Sequence, residues 1–269
     1  MKFINSSSKD PYFNQLIEEE LLYQSIDDFL MMYVNRPSVF LGKFQNPWLE
    51  CDLHFLQSNH FDLVRRISGG GCVFHDEGNL SIALITGKDF YDGNSILKNI
   101  INFFYEYKIQ VSLGDKFDLL QENYKISGSA FRQTRNRVLH HFTILFDTNL
   151  DHLQKSLSPT ICESEVSTQA RPSRRSKVKN IASIKSSSWD SISEFKFELI
   201  HYLKLIYQFS ESDFKINHFN PKNNWEHLFG NTPEFTFRGY LIKDGRLPKN
   251  LPEKLEQSFR LALPNVEKN

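Results

Sequence analysis

The sequence of 269 residues predicts an α/β fold of strands interspersed with helices, and three observations point there. Asp10-Pro11 and Asn46-Pro47 each pair a capping side chain with a first-turn proline, the start signal of a helix. Short runs rich in Val, Ile, Leu and Phe, punctuated by glycine, read as strands. A helical period returns late in the chain at Ile192, Phe195, Leu199, Leu203 and Ile206.

Taken in order, Phe13, Leu16, Ile17 and Leu21 follow the first cap at helical spacing, so a helix is expected from about Pro11 to Tyr23. Phe29 to Val34 and Val39 to Leu41 flank Asn35-Arg36-Pro37 and suit two strands joined by a turn, before a second helix at Pro47. Asp62 to Arg66, Cys72 to His75 and Leu80 to Ile85 read as strands. Ser95 to Tyr107 reads as a helix, and Ile109 to Leu113, Phe117 to Leu120, Lys125 to Phe131 and Val138 to Phe146 as further strands. Thr148 or Asn149 caps a short helix to Leu157. The Ser-, Arg- and Lys-rich stretch from Ser158 to Ser188 is expected to be a mobile loop, and the last amphipathic helix to end near Phe209. The domain reading is a catalytic core over 1–188, with a mobile basic loop at 160–185, and a C-terminal helix with a truncated accessory region over 189–269.

Composition narrows the function classes. Lys+Arg 32 balance Asp+Glu 32, so there is no global field to attract nucleic acid or an acidic membrane surface. Cys51, Cys72 and Cys162 match neither a zinc site nor a disulfide framework, which favours a reducing compartment. Without a signal-peptide core or an apolar run of the ~20 residues a membrane span needs, the expectation is a cytoplasmic protein.

Two segments carry chemistry. Arg65-Arg66-Ile67-Ser68-Gly69-Gly70-Gly71-Cys72-Val73-Phe74-His75-Asp76 sets two cations and three glycines between apolar runs. Glycines tolerate positive φ and let backbone N–H groups approach an anion such as a phosphate or carboxylate. The stretch is neither a Walker loop nor a dinucleotide fingerprint, and a glycine-rich hairpin without a ligand is the alternative. In the second segment, Lys125-Ile126-Ser127-Gly128-Ser129-Ala130-Phe131-Arg132, a continuous strand would put Lys125, Ser127, Ser129 and Phe131 on one face, with small residues leaving room beside the lysine. A lone strand lysine is otherwise a solvated edge. His140 and His141 follow, and as neighbours on a strand they face opposite ways, so both cannot serve one site.

Together these segments resemble the lipoate-protein ligase A family, whose pattern RRxSGGGxVFHDxGN is matched from Arg65 to Asn79 and whose KxSGSAxR is matched from Lys125 to Arg132. Asp10-Pro11-Tyr12-Phe13-Asn14 with Glu18-Glu19, and Leu41-Gly42 leading to Gln45-Asn46-Pro47-Trp48, extend the likeness over about the first 160 residues. Ser173 to Asn180 is similar to the family's SVRSRVTN loop.

The resemblance implies a biotin protein ligase-like catalytic fold and a two-step reaction. Lipoate and ATP, with Mg2+, give lipoyl-AMP and pyrophosphate; a lysine of a lipoyl domain, on a 2-oxoacid dehydrogenase E2 subunit or the glycine cleavage H protein, then attacks the acyl carbonyl. It implies that Lys125 contacts both carbonyl and phosphate. Arg66, Ser68, Gly69, Gly70, Gly71, Cys72, Val73, Phe74 and His75 would hold the nucleotide and acyl group. Asn79, Asp118, Ser127, Arg132 and His141 would line the same pocket, and Arg175, Lys177 and Val178 would belong to a closing loop. Asp118 and the adenylate phosphate are candidates for the base that deprotonates the acceptor lysine.

Three departures bear on this expectation. Phe117-Asp118 stands where the family often has Asn-Asp, His140-His141-Phe142 where it often has His-His-Gly, and Trp225 to Asn269 matches only the beginning and end of the accessory domain of longer ligases. An added ring bears on acyl selectivity, and a missing middle on adenylation. The rivals are a transferase that accepts preformed lipoyl-AMP and a non-catalytic lipoyl-domain-binding protein. An octanoyltransferase is disfavoured because residues 111–124 contain no cysteine. Nucleic-acid binding by the basic loop is disfavoured because no aromatics interleave its cations.

Overall fold

The structure is a computed structural model, and it describes residues 1–161, 163–185, 187–211, 234–237, 240–242, 246, 249–250 and 252–253. In chain order the first half forms β1 (Lys2–Asn5), α1 (Pro11–Gln24), β2 (Phe29–Val34), β3 (Ser38–Leu41), α2 (Pro47–Glu50), α3 (Leu53–Ser58), β4 (Asp62–Arg65), β5 (Val73–His75), β6 (Asn79–Gly87) and α4 (Gly93–Glu106). There follow β7 (Ser112–Leu113), β8 (Leu119–Gln121), β9 (Tyr124–Ser127), β10 (Ser129–Gln133), β11 (Arg137–Leu145) and α5 (Leu150–Ser156). The last are β12 (Val166–Thr168), α6 (Ile192–Tyr207), β13 (Ser210–Glu211), β14 (Phe235–Phe237) and β15 (Tyr240–Ile242). Most of the stretch from Trp225 to Asn269, where the ends of an accessory domain were expected, lies outside the described residues, as does Cys162.

The helix starts follow from their caps. Asp10 accepts the amides of Tyr12 and Phe13, Asn46 that of Trp48, Asp92 those of Asn94 and Ser95, and Ser191 that of Glu194. Each such cap is worth about 1 kcal/mol. Burying one large apolar side chain contributes about 1.5–3 kcal/mol, so the caps set where helices begin and the cores decide that they persist.

The chain divides into two compact units that interleave in sequence: 1–36, 76–149 and 175–219 form the first, and 37–75, 150–174 and 220–269 the second. The first unit is built on a mixed sheet in the order β10-β11-β6-β2-β1-β13, antiparallel from β10 to β2 and parallel from β2 to β13. Register puts Leu30 opposite Leu84 and Met32 opposite Ile82, so these four share one face. Against that face pack Ile96, Leu97, Ile100, Phe103 and Phe104 of α4 and Phe195, Leu199 and Leu203 of α6. A small sheet, β7-β8-β9, completes the unit.

The second unit has its own core, with Val39, Leu41, Trp48, Leu56, Phe74 and Ile161 among its buried residues. It holds the sheet β4-β3-β5, in which β3 runs parallel to β4 and antiparallel to β5, and the antiparallel sheet β12-β14-β15.

Several sequence expectations shift. β2 and β3, read as two strands joined by a turn, enter different sheets and different units. Phe117 to Leu120 is strand only from Leu119, because Lys116 and Phe117 both adopt left-handed φ, 58° and 63°, and Ile109 to Leu113 is strand only at Ser112–Leu113. Lys125 to Phe131 is not one strand. β9 pairs with β8 and β10 with β11, the break falling at Gly128, so the alternation that would place Lys125 and Phe131 on one face is interrupted. β1 and α3 went unread. Within the expected mobile loop, β12 forms and Ile161 and Ile181 are buried, so both ends of the segment are anchored. Among the described residues, no helix is long and apolar enough to cross a membrane.

Candidate active site

In the second unit, the glycine turn joins β4 to β5, and two buried arginines build it. Arg65 is 3% exposed and its Nη1 donates to the carbonyls of Gly42, Lys43 and Gln45 at 3.1, 3.3 and 2.8 Å. Burial pulls its pKa down to about 10, opposed by the neighbouring Cys51 and Cys72. Arg66 is 4% exposed. Its Nε donates to Ser68 Oγ at 2.9 Å and Gly69 O at 3.2 Å, its Nη1 to Phe40 O at 3.0 Å, and its Nη2 to Gly69 O and Gly71 O at 2.7 and 2.6 Å. A buried guanidinium lacking partners costs several kcal/mol. Here the carbonyls of the turn satisfy it, and the arginine in return fixes their direction.

The glycines are not equivalent. Gly70 has φ 89°, a conformation that side chains resist. A Cβ on Gly42 would stand 2.1 Å from the Gly70 carbonyl oxygen, so Gly42 exists to let the turn pass. A Cβ on Gly71 would meet Ser173 Oγ at 3.0 Å, whereas one on Gly69 would meet nothing within 4 Å. Ser68, Cys72, Phe74 and His75 are buried, and His75 stacks on Phe40 with centroids 4.4 Å apart. The parts of the turn that reach the surface are Ile67, Gly69, Gly70 and Gly71, joined by Val73 at the start of β5.

In the first unit, Lys125 lies on β9, and its backbone is paired on a second side by residues 177–179. Its N–H donates to Lys177 O at 2.8 Å, Lys179 N–H donates to its carbonyl at 3.2 Å, and Val178 is its parallel bridge partner. Lys179 Nζ donates to Gln121 Oε1 at 2.9 Å. The Lys125 ammonium sits 2.9 Å from Asp118 Oδ1, with the two side chains 27% and 24% exposed. A Cβ on Gly128 would stand 2.9 Å from Lys125 Cε and 3.1 Å from its Nζ, so the space the ammonium occupies depends on that glycine. The left-handed residues Lys116 and Phe117 lead directly into Asp118. Backbone held this way in a bulky residue is strained, of order 1–3 kcal/mol, and persists only where the surroundings fix it.

The large sheet sorts the remaining candidates by face. Register aligns Ala130, His141, Ala83 and Met31, so Arg132, His141 and Asn79 share one face. There His141 Nδ1 lies 2.8 Å from Glu18 Oε2, and Tyr33 donates to Glu18 Oε1 at 2.7 Å. His140 and Phe142 take the opposite face, as adjacency on a strand requires. His140 is fully buried, with Nε2 3.1 Å from Ser129 Oγ and its ring stacked on Phe131. Burial and the neighbouring His141 push its pKa down to about 3, so it is neutral at pH 7. Phe142 is buried in the core, and of the two added rings it is Phe117 that remains half-buried near Ser129, whose hydroxyl donates to its carbonyl. Sequence reasoning gave no role to Glu18, Gly42, Gly128 or Ser173, although all four stand inside the quoted motifs. Arg175 and Lys177 are exposed and Val178 is half-buried. Among the described residues, no group of three or more His, Cys, Asp or Glu is placed to hold a metal.

With this geometry in place, comparison with known proteins is specific. The family model of the lipoyl protein ligase A/B catalytic domain matches residues 10–204. The chain is similar to the lipoate-protein ligase LplJ of Bacillus subtilis, 30% identical over 253 residues, covering 87% of this chain and 75% of that one. It is also similar to the mouse mitochondrial lipoyl amidotransferase LIPT1, 33% identical over 249 residues, covering 87% of this chain and 66% of that one.

Among solved structures, protein Ta0514 from T. acidophilum with bound lipoic acid superposes at TM-score 0.65 and 21% identity, covering 81% of this chain and 90% of that one. Lipoate-protein ligase A bound with ATP gives 0.63 at 21%, covering 81% and 89%. A bi-partite archaeal lipoate protein ligase from Thermoplasma acidophilum, studied with its E2 lipoyl domain, gives 0.64 at 23%, covering 81% and 87%. These likenesses show the fold.

Proposed function

The chain belongs to the lipoyl protein ligase A/B catalytic domain family, and from that premise we propose that it is a lipoate-protein ligase. It activates lipoate with ATP to lipoyl-AMP and transfers the lipoyl group to a lysine of a lipoyl domain. The observation that carries this reading is Lys125. Its ammonium is held 2.9 Å from Asp118, its backbone is paired with residues 177–179, and Gly128 leaves its end uncrowded.

The two steps ask for the same charge twice. When a lipoate carboxylate oxygen attacks the α-phosphorus and pyrophosphate leaves, negative charge grows on the phosphate. When the acceptor amine attacks the carbonyl carbon and AMP leaves, it grows on the carbonyl oxygen. One fixed cation serves both, because it is in position before the charge develops. Lys125 takes that role, and the glycine turn, with its surface-reaching Gly69 to Gly71 and Val73, takes the nucleotide. Arg66 acts through the turn whose carbonyls it holds. Magnesium belongs to the substrate as MgATP, where triphosphate oxygens are its natural ligands. The acceptor lysine, with a free pKa of about 10.4, must lose a proton to attack, and Asp118 or the adenylate phosphate takes it.

The similarity to a lipoyl amidotransferase supports a second reading, transfer from preformed lipoyl-AMP without activation. Pyrophosphate release from lipoate and MgATP, with no acceptor present, separates the two. A full ligase releases it. A transferase releases none yet still lipoylates a lipoyl domain when supplied with lipoyl-AMP.

A further inference from the structure

We infer that Ser173 is a positioning residue for the nucleotide, acting through the backbone of the glycine turn. The inference rests on the reading above that this turn holds the nucleotide. Over residues 171–177 every side chain is exposed except that of Ser173, which is drawn in against the turn. Its Oγ accepts the amide of Cys72 at 2.7 Å and Nε2 of Gln45 at 2.8 Å, and its own N–H donates to Glu50 Oε1 at 2.9 Å. Both acceptor positions of the hydroxyl are then in use.

The two ends of the turn are fixed by different means. Arg66 holds the carbonyls of Gly69 and Gly71, and Lys43 donates to Ser68 O at 2.9 Å, so the carbonyl side is set from within residues 40–71. The Cys72 amide is set instead by a side chain 101 positions further along the chain. Gln45 links the two, because its Oε1 accepts the Gly42 amide at 3.0 Å while Gly42 abuts the Gly70 carbonyl. A Cβ on Gly71 would press on Ser173, 3.0 Å from its Oγ. The peptide between Gly71 and Cys72 is thereby held at both ends, its carbonyl by Arg66 and its N–H by Ser173, and this anchors the end of the turn whose surface-reaching Gly69 to Gly71 carry the N–H groups offered to an anion. A backbone that presents N–H groups to phosphate depends on their direction as much as on their presence.

The test is titration of the full chain with ATP and with a non-hydrolysable lipoyl-adenylate analogue by calorimetry, beside the KM for ATP and thermal melts. Loss of one such hydrogen bond is expected to weaken affinity about three- to tenfold. Ser173→Ala should therefore raise Kd and KM by that factor while kcat at saturation and the melting temperature are retained, and Ser173→Thr, which keeps the hydroxyl, should restore affinity. Wild-type Kd and KM in Ser173→Ala, or a loss that simply follows a lowered melting temperature, would overturn the inference. If wild-type protein binds neither ATP nor the analogue, the nucleotide reading of the turn falls and takes this inference with it.

Discussion

The glycine turn and the lysine strand both combine glycines with a cation, yet they use the cation in opposite ways. In the turn, Arg65 and Arg66 are buried and their guanidinium groups bond to backbone carbonyls, so the charge builds structure. On β9 the backbone of Lys125 is held by neighbouring chain and the ammonium is left beside a single carboxylate, partly exposed. The difference teaches where to look for chemistry. A cation whose donors are spent on the turn itself shapes a surface, while one held through its backbone offers its charge to a ligand.

The largest effect separating the two regions is expected at Lys125. Lys125→Ala should leave the fold intact and lower the rate of lipoyl transfer from lipoyl-AMP by ~10²–10³, the usual cost of losing a preorganised electrostatic donor. A folded Lys125→Ala protein with wild-type transfer would remove the distinction.

Within the turn, Gly70→Val should weaken binding of a non-hydrolysable lipoyl-adenylate analogue by about tenfold or more, since forcing a left-handed backbone on a branched residue costs roughly 1–2 kcal/mol. Gly69→Ala should weaken binding less, because a Cβ there meets no protein atom within 4 Å and its φ is not left-handed. Calorimetry on the pair reads this directly, and equal affinities would mean that the turn's conformation does not matter to the ligand.

The smallest of the three effects is at Gly128. A methyl group there displaces the end of Lys125, a flexible side chain, so Gly128→Ala should lower kcat several-fold, short of Lys125→Ala, without changing the melting temperature. An unchanged kcat would show that Lys125 works equally well from another rotamer.

How much of this was legible in the sequence follows from how local each feature is. α1 and α2 were readable because cap and proline lie next to each other, and the glycine and lysine motifs because their residues are contiguous. That Asn79, Arg132 and His141 line one pocket was implied by resemblance, while the sheet face they share could be read only from the register of β6, β10 and β11. The separation of β2 from β3 was not readable, since each pairs with strands far along the chain. The break at Gly128 was hidden because a glycine inside a strand-like run reads equally as a bulge, a bend or a close approach. Ser173 stood in a charged stretch that read as solvated loop, and its partners Gln45, Glu50 and Cys72 are all distant in sequence.

As proposed, this chain joins lipoate to a protein lysine at the expense of ATP. The most direct measurement is mass spectrometry of an E2 lipoyl domain incubated with the chain, lipoate and MgATP, with parallel reactions lacking ATP or supplied with lipoyl-AMP instead. One lipoyl amide on the domain is expected with MgATP, none without it, and the same adduct from lipoyl-AMP. A domain modified only from lipoyl-AMP, or left unmodified by the folded chain under every one of these conditions, would contradict it.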